Sequence, residues 1–196
     1  MSGPFRDVDT GFDAGILELS RAEVENLCGH KFIGMTSHTN RDNFDEDLYL
    51  LLGFPIELAT ENVFDGKRLG SIQPLWFATT PYLDECANFQ NFRRDRHILL
   101  QCRRSSAVHI SGEHVRLPAS LEGISGCSIW KTNLVGAPAD RWTPAMAEVI
   151  GIETGEYRPA EVLKGTAWDG VAALLFQMYP QLQGSLRLVL PPSTRL

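Results

Sequence analysis

Leu121-Glu122-Gly123-Ile124-Ser125-Gly126-Cys127-Ser128-Ile129-Trp130 is the stretch that decides how this chain is read. A serine with glycine two positions before it and directly after it lies in backbone free to turn tightly. The β-favouring Ser128-Ile129-Trp130 follows, so the turn feeds a strand. A nucleophile elbow of the G-x-S-x-G type needs a glycine two positions past the serine and then a helix. Cys127 stands at that position, and the elbow reading fails. What remains is G-x-S-G ahead of a strand, in which the amides of Gly123 and Ser125 can converge as an oxyanion hole beside the Ser125 hydroxyl.

Outward from this turn the chain reads as short strands separated by Gly, Pro, Asn and Ser. Leu48 to Phe54 is continuously apolar and stops at Pro55, as a strand buried on both faces would. Further strands are expected at Ala14 to Leu19, Leu75 to Thr79, His97 to Cys102, Ala107 to Ser111, Cys127 to Thr132 and Glu148 to Ile152, with a hairpin turn at Ser111-Gly112-Glu113. One or two helical turns fit Ala22 to Leu27, and Thr36 to Asp47 reads as a polar loop. The one long helix is expected over 166–179, capped by Thr166, with Trp168, Val171, Ala172, Leu175 and Tyr179 on one face and Pro180 ending it. The tail Leu188 to Leu196 is expected to be loosely held.

Composition narrows the classes. A chain of 196 residues with 43% hydrophobic content supports one core and a small appendage. Lys plus Arg is 18 against 24 for Asp plus Glu, a formal charge of −6, so bulk charge does not draw nucleic acid. The longest apolar run falls far short of the roughly 20 residues a spanning helix requires, so no membrane association is expected. Met1 to Asp9 lacks the basic start and apolar middle of a secretory signal. The chain is therefore expected to be cytoplasmic, with Cys28, Cys86, Cys102 and Cys127 as reduced thiols.

The turn around Ser125 resembles the nucleophile segment of the trypsin-like (chymotrypsin-fold) serine peptidases. Asp13-Ala14-Gly15-Ile16-Leu17-Glu18-Leu19 resembles the segment of that family in which the triad aspartate enters a strand. Leu48 to Pro55 resembles an early strand and turn of the second barrel. Glu148 to Ile152 resembles the strand lining the substrate cleft, and 166–179 the terminal helix. The likeness runs in family order over roughly residues 10 to 182.

It implies a mainly β, chymotrypsin-like barrel: a remnant of the first barrel over 1–30, the second barrel over 31–160, and a C-terminal helix and tail over 161–196. It also implies peptide-bond hydrolysis through an acyl-enzyme, a polypeptide substrate and no cofactor. Ser125 would be the nucleophile, Asp13 would orient the histidine, and the amides of Gly123 and Ser125 would hold the oxyanion. The position six before Ser125, implied at the pocket floor, is Ala119. It carries no charge to pair with Lys or Arg. Gly151 falls on the cleft strand and is implied to line the pocket.

The family's histidine precedes its aspartate, yet His30, His38, His97, His109 and His114 all follow Asp13. Without a proton acceptor Ser125 is an ordinary alcohol, so the isolated chain is expected to be almost inactive. A first barrel reduced to one strand exposes unpaired edges. A chain cut short upstream is one account. A noncatalytic binding or assembly module, its barrel completed by a protein partner, is the other.

In place of the family's Gly-Pro, this sequence has Cys127-Ser128 after Gly126, and Cys127 is expected to pack as an inert buried thiol. Val8-Asp9-Thr10-Gly11 matches an aspartic-peptidase tripeptide but lacks an apolar strand leading into it and a second aspartate. Asp7, Asp9 and Asp13 lack the continuation of a calcium loop. Cys102, His109 and His114 lack zinc spacing. Arg93 to Arg96 with Arg103 and Arg104 reads as a solvated face.

Overall fold

The computed structural model describes residues 16, 18–27, 34, 38–39, 43–64, 67–84, 89–107, 114, 117–138 and 140–187. The chain is mainly β. Its strands are β1 (Tyr49–Gly53), β2 (Ala59–Phe64), β3 (Lys67–Ile72), β4 (Leu75–Thr79), β5 (His97–Gln101), β6 (Ser128–Lys131), β7 (Glu148–Tyr157) and β8 (Val162–Ala167). The helices are α1 (Arg21–Asn26), α2 (Trp168–Met178) and the single turn α3 (Gln183–Leu186).

Six strands form one antiparallel sheet in the order β4-β1-β6-β7-β8-β5, and β2 and β3 form a separate two-stranded sheet. The sheet curls into a half-barrel. Its two ends are tied by the segment that leaves β4. Pro81 bridges Leu100, the Tyr82 amide donates to the Leu99 carbonyl at 2.8 Å, and the Gln101 amide donates to the Thr80 carbonyl at 3.0 Å. Joining the ends hides backbone groups that an open sheet would present to solvent.

The core lies inside this curl. Tyr49, Leu51, Ile98, Leu100, Ile129, Ile150 and Leu163 are almost fully buried, and Leu117, Leu121 and Ile124 belong to the same cluster. β1 is not covered on both faces. Its burial alternates, with Tyr49, Leu51 and Gly53 inward and Leu52 exposed beside an exposed Trp76 on β4. The continuous apolar run hid that alternation, because the outward positions are leucine as well.

Two expected strands lie partly outside the described residues: 108–113, with the proposed hairpin, and Ala14, Gly15 and Leu17. Ile16 makes an isolated bridge, while Glu18 and Leu19 are not in a strand. α1 forms where helical turns were expected. Ser20 Oγ accepts from the Glu23 amide at 3.3 Å, and Glu23 Oε2 accepts from the Ser20 amide at 2.8 Å, a reciprocal cap.

β8 was not foreseen, and neither were β2 and β3. Every residue of Val162-Leu163-Lys164-Gly165-Thr166-Ala167 is buried, so no alternation marks it as a strand. Thr166 belongs to this strand and does not cap α2, which starts at Trp168 behind an uncapped Ala167. The helix buries Gly170, Ala172, Leu174 and Phe176; of the expected face Ala172 is buried and Trp168 and Leu175 pack against its cluster, whereas Val171 and Tyr179 are only half-buried. Ala172 and Phe176 meet Leu186 of α3, a contact that draws the buried side round from Tyr179. No described helix is long and apolar enough to cross a membrane.

Candidate active site

The turn from Leu121 to Cys127 joins the core to β6, and packing at both of its ends sets its shape. Ile124 is buried and sits directly on Gly53, where a β-carbon would come within 2.8 Å of the isoleucine side chain. The Ile56 amide donates to the Glu122 carbonyl at 2.8 Å, and the Ser120 amide donates to Glu57 Oε2 at 2.9 Å. These bonds brace the turn against the end of β1.

Gly123 has φ +98° and Gly126 φ +91°, conformations that a side chain resists. A β-carbon at Gly123 would also meet the Phe54 carbonyl oxygen at 2.9 Å. Both glycines of the G-x-S-G pattern are thus required by the backbone, and between them they hold Ser125 on the surface.

The amides of this turn divide into two sets. Ile124 donates to the Leu121 carbonyl at 3.1 Å, Gly126 to the Glu153 carbonyl at 2.7 Å and Cys127 to the Ile124 carbonyl at 2.9 Å. Among the described residues the amides of Gly123 and Ser125 have no acceptor, and both residues are exposed. A pair of uncommitted amides two residues apart, on a braced turn beside a hydroxyl, can stabilise an oxyanion that develops at that point.

Behind Ser125 lies a group that sequence reasoning missed. Glu153 of β7 is 2% exposed. Its amide donates to the Cys127 carbonyl at 2.8 Å while its carbonyl accepts from Gly126, which fixes the residue alongside the turn. Burial pushes the carboxyl up from 4.5 to about 7. Hydrogen bonding from the Ser125 side chain and the Gly155 amide and the charge of Lys164 pull it partly back down, whereas the Glu156 charge adds to the rise. Its Oε2 atom is buried with no hydrogen-bond partner.

The same surroundings quiet the thiols. Burial, and then the charge of Glu153, push Cys127 up to about 12. Burial pushes Cys102 up to about 11. Both are free and inert as nucleophiles at neutral pH.

The structure therefore places Ser125 and Gly123 in one turn. Ala119 sits on an exposed bend before it. Gly151 pairs with Ile129 and Ala167 inside the sheet, where a β-carbon would overlap the Thr166 carbonyl. Asp13 lies outside the described residues, as do His30 and His109. His38 stacks on Trp168 with ring centroids 3.7 Å apart, and His97 Nδ1 accepts from the Arg93 amide at 2.8 Å.

Farther along β7 an open hollow of about 390 Å³ is lined by Phe89, Glu156, Tyr157, Arg158, Pro159 and Ala160. Phe89 stacks on Tyr157 at 4.4 Å. Comparison with family models, with curated proteins and with solved structures finds no match.

Proposed function

We propose that this chain is a chymotrypsin-like serine peptidase module. Ser125 attacks the carbonyl carbon of a polypeptide substrate and becomes acylated, and the Gly123 and Ser125 amides hold the oxyanion. The observation that carries this reading is that the Gly123 and Ser125 amides, on either side of Ile124 and next to the Ser125 hydroxyl, are left without an acceptor among the described residues. The strand, helix and turn order around Ser125 supports it. The hollow beside Phe89 and Tyr157, continuous with the strand that carries Glu153, offers an apolar wall for a substrate side chain.

The test is a peptide boronic acid, which forms a tetrahedral adduct with a serine hydroxyl and places a boron-bound oxygen where the oxyanion would form. Boron NMR should show a tetrahedral resonance with the full chain and none with Ser125→Ala. Absence of the adduct at millimolar boronate overturns the reading.

A specific observation also favours a binding role. Leu52, Phe54, Ile56 and Trp76 are 49%, 51%, 57% and 60% exposed, an apolar strip along the outside of β1 and β4 and the turn beyond β1. In a polypeptide-binding module, adding an unfolded chain such as denatured casein would slow hydrogen exchange in β1 and β4 while leaving Ser125 unreactive. Exchange that does not change in those strands removes this second reading.

A further inference from the structure

We propose that Glu153 is the proton acceptor for Ser125, so that this chain carries its own serine–carboxylate pair. The inference rests on the assignment of Ser125 as nucleophile, and it supplies a base to a sequence in which no histidine precedes Asp13.

Four observations converge on it. Two backbone hydrogen bonds, Gly126 N–H to the Glu153 carbonyl and Glu153 N–H to the Cys127 carbonyl, clamp this residue of β7 to the turn. Ser125 directly precedes Gly126 in that clamped turn, which sets its hydroxyl beside the Glu153 residue, and the hydroxyl favours the ionised carboxyl. The carboxyl is almost completely buried. Its Oε2 atom has no partner, an arrangement costly for a purely structural residue.

The groups facing it come from every neighbouring element. Ser125 and the Cys127 thiol lie on the turn, Glu156 and the Gly155 amide on β7, Lys164 on β8, and Cys102 just past β5. Lys164 is the one cation of this set and favours the carboxylate, and Glu156 opposes it. A buried acid poised near neutral pH meets the requirement for a general base working at that pH.

The step balances without any further reagent. As Ser125 Oγ bonds to the substrate carbonyl carbon, its proton passes to the Glu153 carboxylate, and the carbonyl π pair moves onto oxygen, facing the Gly123 and Ser125 amides. When that pair returns, the bond to the leaving group breaks and the Glu153 carboxylic acid gives its proton to the departing nitrogen or oxygen. Water then repeats the sequence on the acyl-enzyme, with Glu153 as base and Ser125 as leaving group.

A fluorophosphonate probe tests this on the full chain, its second-order rate of Ser125 modification being read by mass spectrometry from about pH 5 to 9. The rate should rise about tenfold per pH unit until it levels near 7, following the fraction of ionised carboxyl. Glu153→Gln should label at least about 100-fold more slowly, with the pH dependence gone. Glu153→Ala should label slowly and be restored by added formate in proportion to its concentration, a rescue that a packing role would not give.

A Glu153→Gln protein that labels at the wild-type rate with the wild-type pH profile overturns the proposal, as does a wild-type chain that is not labelled at any pH. In either case the boronate adduct separates the two conclusions. With the adduct present, Ser125 remains the nucleophile and its base lies elsewhere. With it absent, the nucleophile assignment falls as well.

Discussion

Replacing Glu153 by glutamine should make the protein more stable at alkaline pH and change little in acid. The native carboxyl titrates near 7 and an unfolded one near 4.5. Below about pH 4.5 both states hold the proton and the group contributes nothing. Between 4.5 and 7 the unfolded chain ionises while the native protein keeps its proton, so stability falls as pH rises. Above 7 the loss is complete. At about 1.4 kcal/mol per unit of pKa, it amounts to ~3 kcal/mol. The carboxyl is 2% exposed, so solvent screening removes little of this. Glutamine keeps the shape and a donor where the protonated acid has one, and it never ionises. Urea unfolding followed by circular dichroism at about pH 4.5 and pH 8, for both proteins, isolates the effect because all other titrating groups cancel in the difference. The gap between variant and wild type should widen by ~3 kcal/mol from the lower pH to the higher. A gap constant to within about 0.5 kcal/mol would refute the buried, proton-holding carboxyl.

Three further outcomes follow from the same geometry. Gly123→Ala, which forces a side chain into a φ of +98° and toward the Phe54 carbonyl, should cost about 1–3 kcal/mol in urea unfolding and weaken boronate binding; an unchanged midpoint would mean that the turn relaxes freely. The Arg104–Glu156 ion pair has side chains only 15% and 10% exposed, and Arg104 Nε also donates to the Pro118 carbonyl at 3.0 Å, so Glu156→Gln should destabilise by about 2–4 kcal/mol, as read from the thermal midpoint. Cys102 and Cys127, with thiols raised to about 11 and 12, should resist iodoacetamide in the native protein at pH 8 and react on adding urea; peptide mapping that finds either alkylated before unfolding contradicts their burial.

The parts of the fold legible in the sequence are those where a hydrophobic run meets a breaker. Leu75 to Thr79 and His97 to Gln101 were read almost to the residue because Pro74, Thr80 and Pro81, and the polar 93–96 stretch, bound them. β8 gave no such signal. It is enclosed on both faces and carries Lys164, Gly165 and Thr166 into the interior, so its composition resembles that of a loop while its burial is that of a central strand. The β2–β3 ribbon is missed for the opposite reason. Its residues are largely polar, and the cue was the Asp65-Gly66 dipeptide between two segments whose ends, Phe64 and Lys67, pair directly. The tie between β4 and β5 depends on Pro81 and Leu100, nineteen residues apart in sequence, a separation that local pattern does not encode.

The candidate site divides along the same line. The Ser125 turn is visible because two glycines mark positions with φ above +90°, a requirement that leaves a trace in residue type. Glu153 leaves its trace only in register. β7 skips Ile150 in its pairing with β6, and beyond that irregularity Gly151 and Glu153 are buried while Ile152 is half-buried, so carrying the alternation two residues past Gly151 would have placed the carboxylate inside. A charged residue followed by Thr154-Gly155 reads instead as the end of the strand and the start of a turn. That conflict between local composition and burial is itself informative. An interior carboxyl costing the native state ~3 kcal/mol is a feature a leucine or glutamine would remove, and it is clamped to the turn that carries the Ser125 hydroxyl and the uncommitted Gly123 and Ser125 amides. Local composition fails at β8 and at the β2–β3 ribbon for reasons of burial and polarity alone, whereas at Glu153 it fails beside a hydroxyl on a braced turn, the setting in which a working site is expected to break local rules.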